Sequence, residues 1–560
     1  MAGLSAGCRA GDENGPTAGN PVELTICMYG IQLDSYVAED DLIRLAIEQA
    51  TNTRITFETY PIESYNREIA ASVSSDGGAD LIQNWGGKEE TGTWAGSGWL
   101  VDLYGLVKAD PGRYPIVASM MDDPIYRLYN EMYTGDTEKA YGFYTLFGST
   151  MYNNYIGDLV YNTKILREAG FDEPPTTIDE FMDYGRAAAA KGYIAWYPRN
   201  WNLQNFQNMN YSVLAPLDTA IEYPDGAAWT GMRQNADGSW FCATTSGASK
   251  KGIKILRQMV DEGILPKEIG DMPDFGETIG LWANDMIGCI SYYCTNPYQY
   301  QWALGEYRAT HPGAGFEDVT LGPLLKTSGG DIGKQNYLPF YIAANWVVPQ
   351  TSADKAQAVL DLIEFIGSPE GQDLIFKGIE GVHYTVGGGG NPVFDMDEWN
   401  KITRLFGYED GRCTYPGFEF LYSGALRQGY WGGDSLWVSK SANLMDYTAQ
   451  ISGYTDDFQK ARDITDRIQA EVGNELPPYY VFISLSQESM DIRARLKEIS
   501  LEYLPAFITG TRDIDAGWPE YVKAYEEAGV QALVDDFNAQ IEIAKQKYEA
   551  LTKFSFVLTP

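Results

Sequence analysis

Between Val22 and Ile82 short apolar runs alternate with longer amphipathic ones, and this order restricts the fold more than any other feature of the chain. Residues 22–28 alternate and then run apolar, which reads as a strand. Residues 41–50 carry Leu42, Ile43, Leu45, Ala46 and Ile47 at helical spacing and stop near Asn52. Residues 54–59 read as a second strand, 65–72 as a helix and 80–82 as a third strand. Strand–helix–strand–helix–strand implies a parallel sheet with helices on both faces, an α/β architecture. Ligands of such sheets sit beyond the carboxyl ends of the strands. The third strand runs into Asn84 and Trp85 and then breaks at Gly86-Gly87, so it delivers an amide and an indole to such an end.

The pattern recurs downstream. Residues 157–162 read as a strand, 164–169 as a helix closed by Gly170, and Pro174-Pro175-Thr176-Thr177 caps a helix from Ile178. Residues 249–262 are amphipathic. Residues 286–293 and 341–348 read as buried strands. Ser352 is expected to cap a helix that Gly367-Ser368-Pro369 stops, and residues 370–376 start another. From about Leu485 the chain reads as largely helical, broken at Pro505, Gly510 and Gly529.

Composition then excludes several classes of function. The net charge of −36 repels phosphate backbones and anionic headgroups, which argues against nucleic acid and membrane surfaces as partners. Two histidines, His311 and His383, leave little room for a His-rich metal site. The six cysteines form no CxxC pair and no dense framework; Cys289 and Cys294 read as buried small residues, with a disulfide as the alternative. No apolar run reaches the length of a membrane span. Leu4-Ser5-Ala6-Gly7 directly before Cys8 has the small-residue pattern of a lipoprotein signal tail. Residues 1–20 therefore read as a signal remnant and flexible tether, with Cys8 as the expected lipidation site.

GDLVYNTKILREAGFDEPPTTIDEF, from Gly157, resembles the strand–helix–Pro–helix segment of extracellular solute-binding proteins of ABC sugar importers. SADKAQAVLDLIEFIGSPEGQDLIFKGIEGVHYTV, from Ser352, resembles the helix–SPEGQ–helix segment of the same family, in its large Gram-positive lipoprotein branch. DLIQNWGGKEETGTWAGSGWLVDL is similar to the corresponding stretch of maltose-binding-protein-like members. The resemblance implies two lobes joined by hinge strands, each lobe a mainly parallel sheet flanked by helices. One lobe is expected over residues 21–156 plus 338–384, the other over 157–337 plus 385–560. It further implies an extracellular, lipid-anchored monomer that closes around a ligand and presents it to a membrane permease, with no covalent chemistry and no cofactor. The large branch also admits a structural calcium. Only a fragment of the calcium-loop pattern occurs, at Asn235-Ala236-Asp237-Gly238, so no metal ligand is assigned.

A pyranose offers an apolar face that an indole or phenol can cover and a rim of hydroxyls that planar polar groups can bind in pairs. Sites for it need flat rings beside short polar side chains. Asn84 with Trp85 fits. So do Trp196, Arg199 and Trp201; Tyr292, Tyr293 and Asn296, which follow the strand that carries a stacking ring in the resembled family; Asn345 with Trp346; and Trp431 with Asp434. Trp94 and Trp99 read as packing or surface, Asp80 as a local backbone cap, and His383 with Glu380 as structural. The expected function is capture of an oligosaccharide. The alternatives are a secreted glycoside hydrolase with an aromatic-lined cleft and a peptide binder of the same architecture.

Overall fold

The computed structural model describes residues 20–552 apart from 62–63, 76–77, 86–89, 149–158, 199–212, 222–230, 268–274, 292–296, 334–339, 389–391, 408–414, 419–454 and 472–476. The first sheet contains β1 (Val22–Cys27), β2 (Thr53–Glu58), β3 (Leu81–Trp85), β4 (Gly142–Gly148) and β11 (Phe340–Val347), in the order β2-β1-β3-β11-β4. β1 is parallel to both β2 and β3, so the three carboxyl ends emerge on one edge. The helix Leu42–Thr51 makes the first crossover. Asp41 caps it by accepting from the Arg44 amide (3.0 Å), and Asn52 ends it in the left-handed region at φ 51°. β11 returns from a distant part of the chain and lies antiparallel between β3 and β4. Leu24, Ile26, Ile43, Ile47, Trp346 and Val348 pack into one interior.

The second sheet contains β5 (Leu159–Asn162), β6 (Tyr197–Pro198), β9 (Cys289–Ser291) and β10 (Val319–Leu321), in the order β10-β5-β9-β6. The expectation of mainly parallel sheets is corrected here. β5 is antiparallel to both neighbours, only β6–β9 is parallel, and the first sheet is itself mixed through β11. Strands of two to four residues, reached by long excursions, can return in either sense, whereas only a compact helical crossover enforces parallel pairing. A separate interior forms around Leu159, Ile165, Phe181, Trp196, Leu256 and Phe507. Two antiparallel ribbons complete the strands: β7 (Met232–Gln234) with β8 (Trp240–Cys242), and β12 (Tyr384–Val386) with β13 (Pro392–Phe394).

The region after residue 385 does not follow the second sheet as a block. Trp399, Ile402, Phe406, Tyr415 and Phe418 join the first interior, while the helices Gln487–Thr509 and Ile514–Glu527 join the second. The helix Val530–Thr552 serves both. Its Leu533, Phe537 and Ile541 lie in the second interior, its Ala544 lies in the first, and Tyr548 packs against the first. The turn Pro478–Phe482 does the same, with Tyr480 in the second interior and Phe482 in the first. Asn538 fastens the long helix to β8: it accepts from the Trp240 amide (2.9 Å) and donates to the Trp240 carbonyl (3.0 Å).

Two local expectations also change. Ser352 caps no helix; its hydroxyl donates to Asp80 (2.7 Å), and the helix Ala356–Gly367 begins after Lys355 without a side-chain cap. Pro505 does not break the helix Gln487–Thr509. A proline removes one backbone hydrogen bond, and burial of Leu504, Phe507 and Ile508 around it outweighs that loss.

Candidate functional site: an aromatic wall at the strand ends

The carboxyl ends of β1, β2 and β3 each lead into an aromatic ring. Tyr29 follows β1 by two residues, Tyr60 follows β2 by two, and Trp85 is the last residue of β3. All three are half-buried and pack on the same small apolar cluster as Ile69, Ile82 and Trp94. Trp85 and Tyr29 lie face to face, with centroids 5.1 Å apart and planes 4° from parallel. Tyr65, the buried first residue of the helix Tyr65–Val73, is the hub. Its ring meets Tyr29 edge-on at 5.2 Å and Tyr60 at 6.2 Å.

Hydrogen bonds from β3 hold this wall in place. The Tyr65 hydroxyl donates to the Gln83 carbonyl (2.8 Å), and the Gln83 side-chain oxygen accepts from the Tyr29 amide (2.8 Å). The Cys27 thiol lies 3.7 Å from the Tyr65 hydroxyl, and burial pushes its pKa up to about 12, so it stays a neutral, inert packing group. Burial also raises the Tyr60 and Tyr65 phenols, which remain protonated. The wall therefore offers flat apolar faces with fixed orientation.

One carboxylate stands beside it. Glu58, the last residue of β2, lies opposite Cys27 in the sheet register and is half-buried. No hydrogen-bond donor reaches its carboxylate among the described residues. Burial, and then the charge of Asp80, raise its pKa above the usual glutamate value. Asp80 is a structural tie and not the local backbone cap expected: it accepts from the Thr25 amide on β1 (2.8 Å), the Ser352 hydroxyl (2.7 Å) and the Lys355 ammonium (2.9 Å), all distant along the chain.

Of the residues expected to contact ligand, Trp85 alone is both described and partly open. Asn84 and Asn345 are shut inside, opposite each other on β3 and β11, and both amides donate to the Thr91 hydroxyl, at 3.4 and 2.8 Å. They tie the helix Glu90–Gly96 to the returning strand instead of facing a ligand. Gly142 makes room for this, because a Cβ there would fall 2.2 Å from the Asn345 Oδ1. Trp346 lies fully within the first interior and Trp196 within the second. The Trp196 indole donates to the Ser291 hydroxyl (3.1 Å) and packs edge-on to Phe181 at 5.5 Å, so it has no free face. Alternation explains Asn84, Asn345 and Trp346, because a side chain within a strand points into one packed layer or the other; Trp196, one residue before β6, is enclosed by the second interior. Arg199, Trp201, Tyr292, Tyr293, Asn296, Trp431, Asp434 and Cys8 lie outside the described residues. Tyr29, Tyr60, Tyr65 and Glu58 were missed, although the first two stand at one common offset from their strand ends, a signal present in the sequence.

On the second sheet's side, a solvent-open cavity of about 740 Å³ is lined by Pro216, Asp218, Lys251, Asp331 and Gly333 among others, with no aromatic ring among the described residues that line it. No cluster of three or more His, Cys, Asp or Glu side chains fit to hold a metal occurs among the described residues. Nor does any helix there have the length and apolarity to cross a membrane.

A model of the bacterial extracellular solute-binding protein family matches residues 45–382. The chain belongs to that family. Its fold is shared with a human-milk-oligosaccharide-binding, ABC-transporter-associated solute-binding protein from Bifidobacterium longum infantis, at TM-score 0.63 and 15% identity, covering 94% of this chain and 99% of that one. It is shared with the ABC-transporter substrate-binding protein FusA of Streptococcus pneumoniae, determined with fructo-nystose, at TM-score 0.64 and 15% identity over 94% and 99%. The N-glycan transport solute-binding protein NgtS of the same organism follows at TM-score 0.58 and 14% identity over 94% and 99%. At such identities the likeness is one of fold. No curated protein matches the sequence.

Proposed function

We propose that this solute-binding protein captures an oligosaccharide between two lobes and delivers it to the membrane permease of an ABC importer. The observation that carries the reading is the wall of Tyr29, Tyr60 and Trp85, held by Tyr65 and Gln83 at the carboxyl ends of three parallel strands. Flat rings with fixed orientation suit pyranose faces, because little side-chain entropy is lost on stacking. The sugars named for the fold relatives fall in the same chemical class.

In this reading residues 21–156 with 338–384 form the lobe that bears the wall, and 157–337 form the facing lobe. Residues 385–560 are divided between them. A ligand that touches both lobes stabilises the closed arrangement over the open one by the difference in its contacts. The protein acts as a monomer tethered through a lipid on Cys8 to the outer face of the cell membrane, and needs no cofactor.

Titration of the full chain with a panel of oligosaccharides and peptides, by calorimetry and by thermal shift, with product analysis on the same samples, tests the reading. Binding of a sugar without product is expected. Release of shortened sugars would turn the assignment to a glycoside hydrolase, and a response to peptides alone would turn it to a peptide carrier.

A further inference from the structure

Resting on the oligosaccharide reading, the structure assigns Glu58 as a specificity residue that accepts ligand hydroxyls and selects uncharged glycans over uronic-acid glycans.

Three observations carry the assignment. The first is position: Glu58 ends β2 in register with Cys27, two residues before Tyr60 and on the strand edge where the wall stands. The second is its lack of a donor among the described residues, although it is half-buried. A carboxylate withdrawn from water gains from every donor it can find, and a sugar stacked on the neighbouring rings brings hydroxyl donors to it. The third is the local field. Among charged side chains, Glu58 and then Glu68 act on Tyr60, and Glu58 acts on Tyr65 and Cys27. Arg67 turns outward onto Glu68 (2.8 Å) with its side chain 77% exposed, and Lys355 is bound to Asp80 (2.9 Å), so neither cation is directed at Glu58.

A ligand carboxylate at the wall would meet this charge with no compensating cation directed at it among the described residues. At a separation of roughly 8 Å and an effective dielectric near 20 to 40, one such like-charge contact weakens binding by roughly 6- to 30-fold. The net charge of −36 adds a diffuse penalty of the same sign.

The test begins with calorimetry of the full chain on an array of neutral, N-acetylated and uronic-acid oligosaccharides. The tightest neutral compound is then compared with the same compound carrying one primary hydroxyl oxidised to carboxylate, in 20 mM and 300 mM salt. The oxidised form is expected to bind roughly 6- to 30-fold more weakly in low salt, with a smaller gap in high salt. Glu58→Gln is expected to bind the neutral compound somewhat more weakly and to narrow the gap severalfold. A uronic-acid compound as the tightest ligand, or a gap unchanged in Glu58→Gln, overturns the assignment of Glu58 while leaving oligosaccharide capture standing. Binding of no sugar at all overturns oligosaccharide capture itself. If Glu58→Gln does not fold, the salt dependence of the wild-type gap decides: a gap that salt does not touch is steric and refutes the electrostatic selection.

Discussion

Replacing Trp85 by alanine separates the binding role of the wall from its packing role. One indole face laid on a sugar covers roughly 100 Å² of apolar surface, about half of what a fully buried aromatic contributes. At about 25 cal/mol per Å² that contact supplies about 2.5 kcal/mol, so its loss should raise Kd roughly 70-fold. The same substitution removes the stack on Tyr29, with its 5.1 Å centroid distance and 4° tilt. Such pairs contribute about 1 kcal/mol beyond area, and for a lobe-sized unit that lowers Tm by roughly 3 °C. The two effects therefore differ in scale: a large loss of affinity beside a small loss of heat stability. Calorimetric titration with the best oligosaccharide of the panel reads the first, and scanning calorimetry of the free protein reads the second. Trp85→Phe should recover part of the affinity. A Kd within about twofold of wild type together with a Tm fall of 10 °C or more would refute the reasoning and make Trp85 a packing residue.

Three further outcomes follow from the geometry. Trp196→Ala opens a cavity in the second interior and should cost about 3–5 kcal/mol in urea unfolding; a cost under about 1 kcal/mol would show that its indole is not a core ring after all. Gly142→Ala places a Cβ 2.2 Å from the Asn345 Oδ1 and 2.7 Å from the Trp346 carbonyl, and should lower stability by about 1–3 kcal/mol, read from the urea midpoint. His383 is buried, and burial holds its pKa below the ordinary histidine value even though Glu398 and Asp395 push it up. The unfolded chain then takes its proton at higher pH than the folded one, so stability is lost as pH falls below about 6.5, by at most about 1.4 kcal/mol per pH unit. Melting curves from pH 7.5 to 5.5 should show this fall, and a slope unchanged in His383→Gln would rule His383 out as its source.

The sheet elements were legible wherever local pattern and tertiary placement agree. The first two strands and their crossover helix appear within a residue or two of their expected bounds, because apolar alternation and the Asp41 and Asn52 caps act within a few residues of chain; the third strand, expected at 80–82, extends to Trp85. Strand sense in the second sheet was not legible, since the pairing of β5 with β9 and β10 is decided by contacts more than a hundred residues apart. The partly open position of Trp85 was legible for the same local reason, a strand end followed by glycines. Trp196, Asn345 and Trp346 carry the same residue types in mid-strand or against a second layer, and composition alone does not distinguish an open ring from an enclosed one. Tyr29 and Tyr60 went unread because neither is flanked by the short polar partner that drew notice to Trp85.

The helix Val530–Thr552 has a consequence for anyone wishing to dissect the molecule. Its Phe537 and Ile541 complete one interior and its Ala544 the other, with the turn at Tyr480 and Phe482 repeating the division. No single cut in the polypeptide yields a fragment that owns all of its own core, so the halves are not modules that can be expressed apart. A truncation designed to isolate the ring-bearing half must carry this distal segment along, as a fused or co-expressed peptide, or it will lose solubility before any question about sugar can be asked.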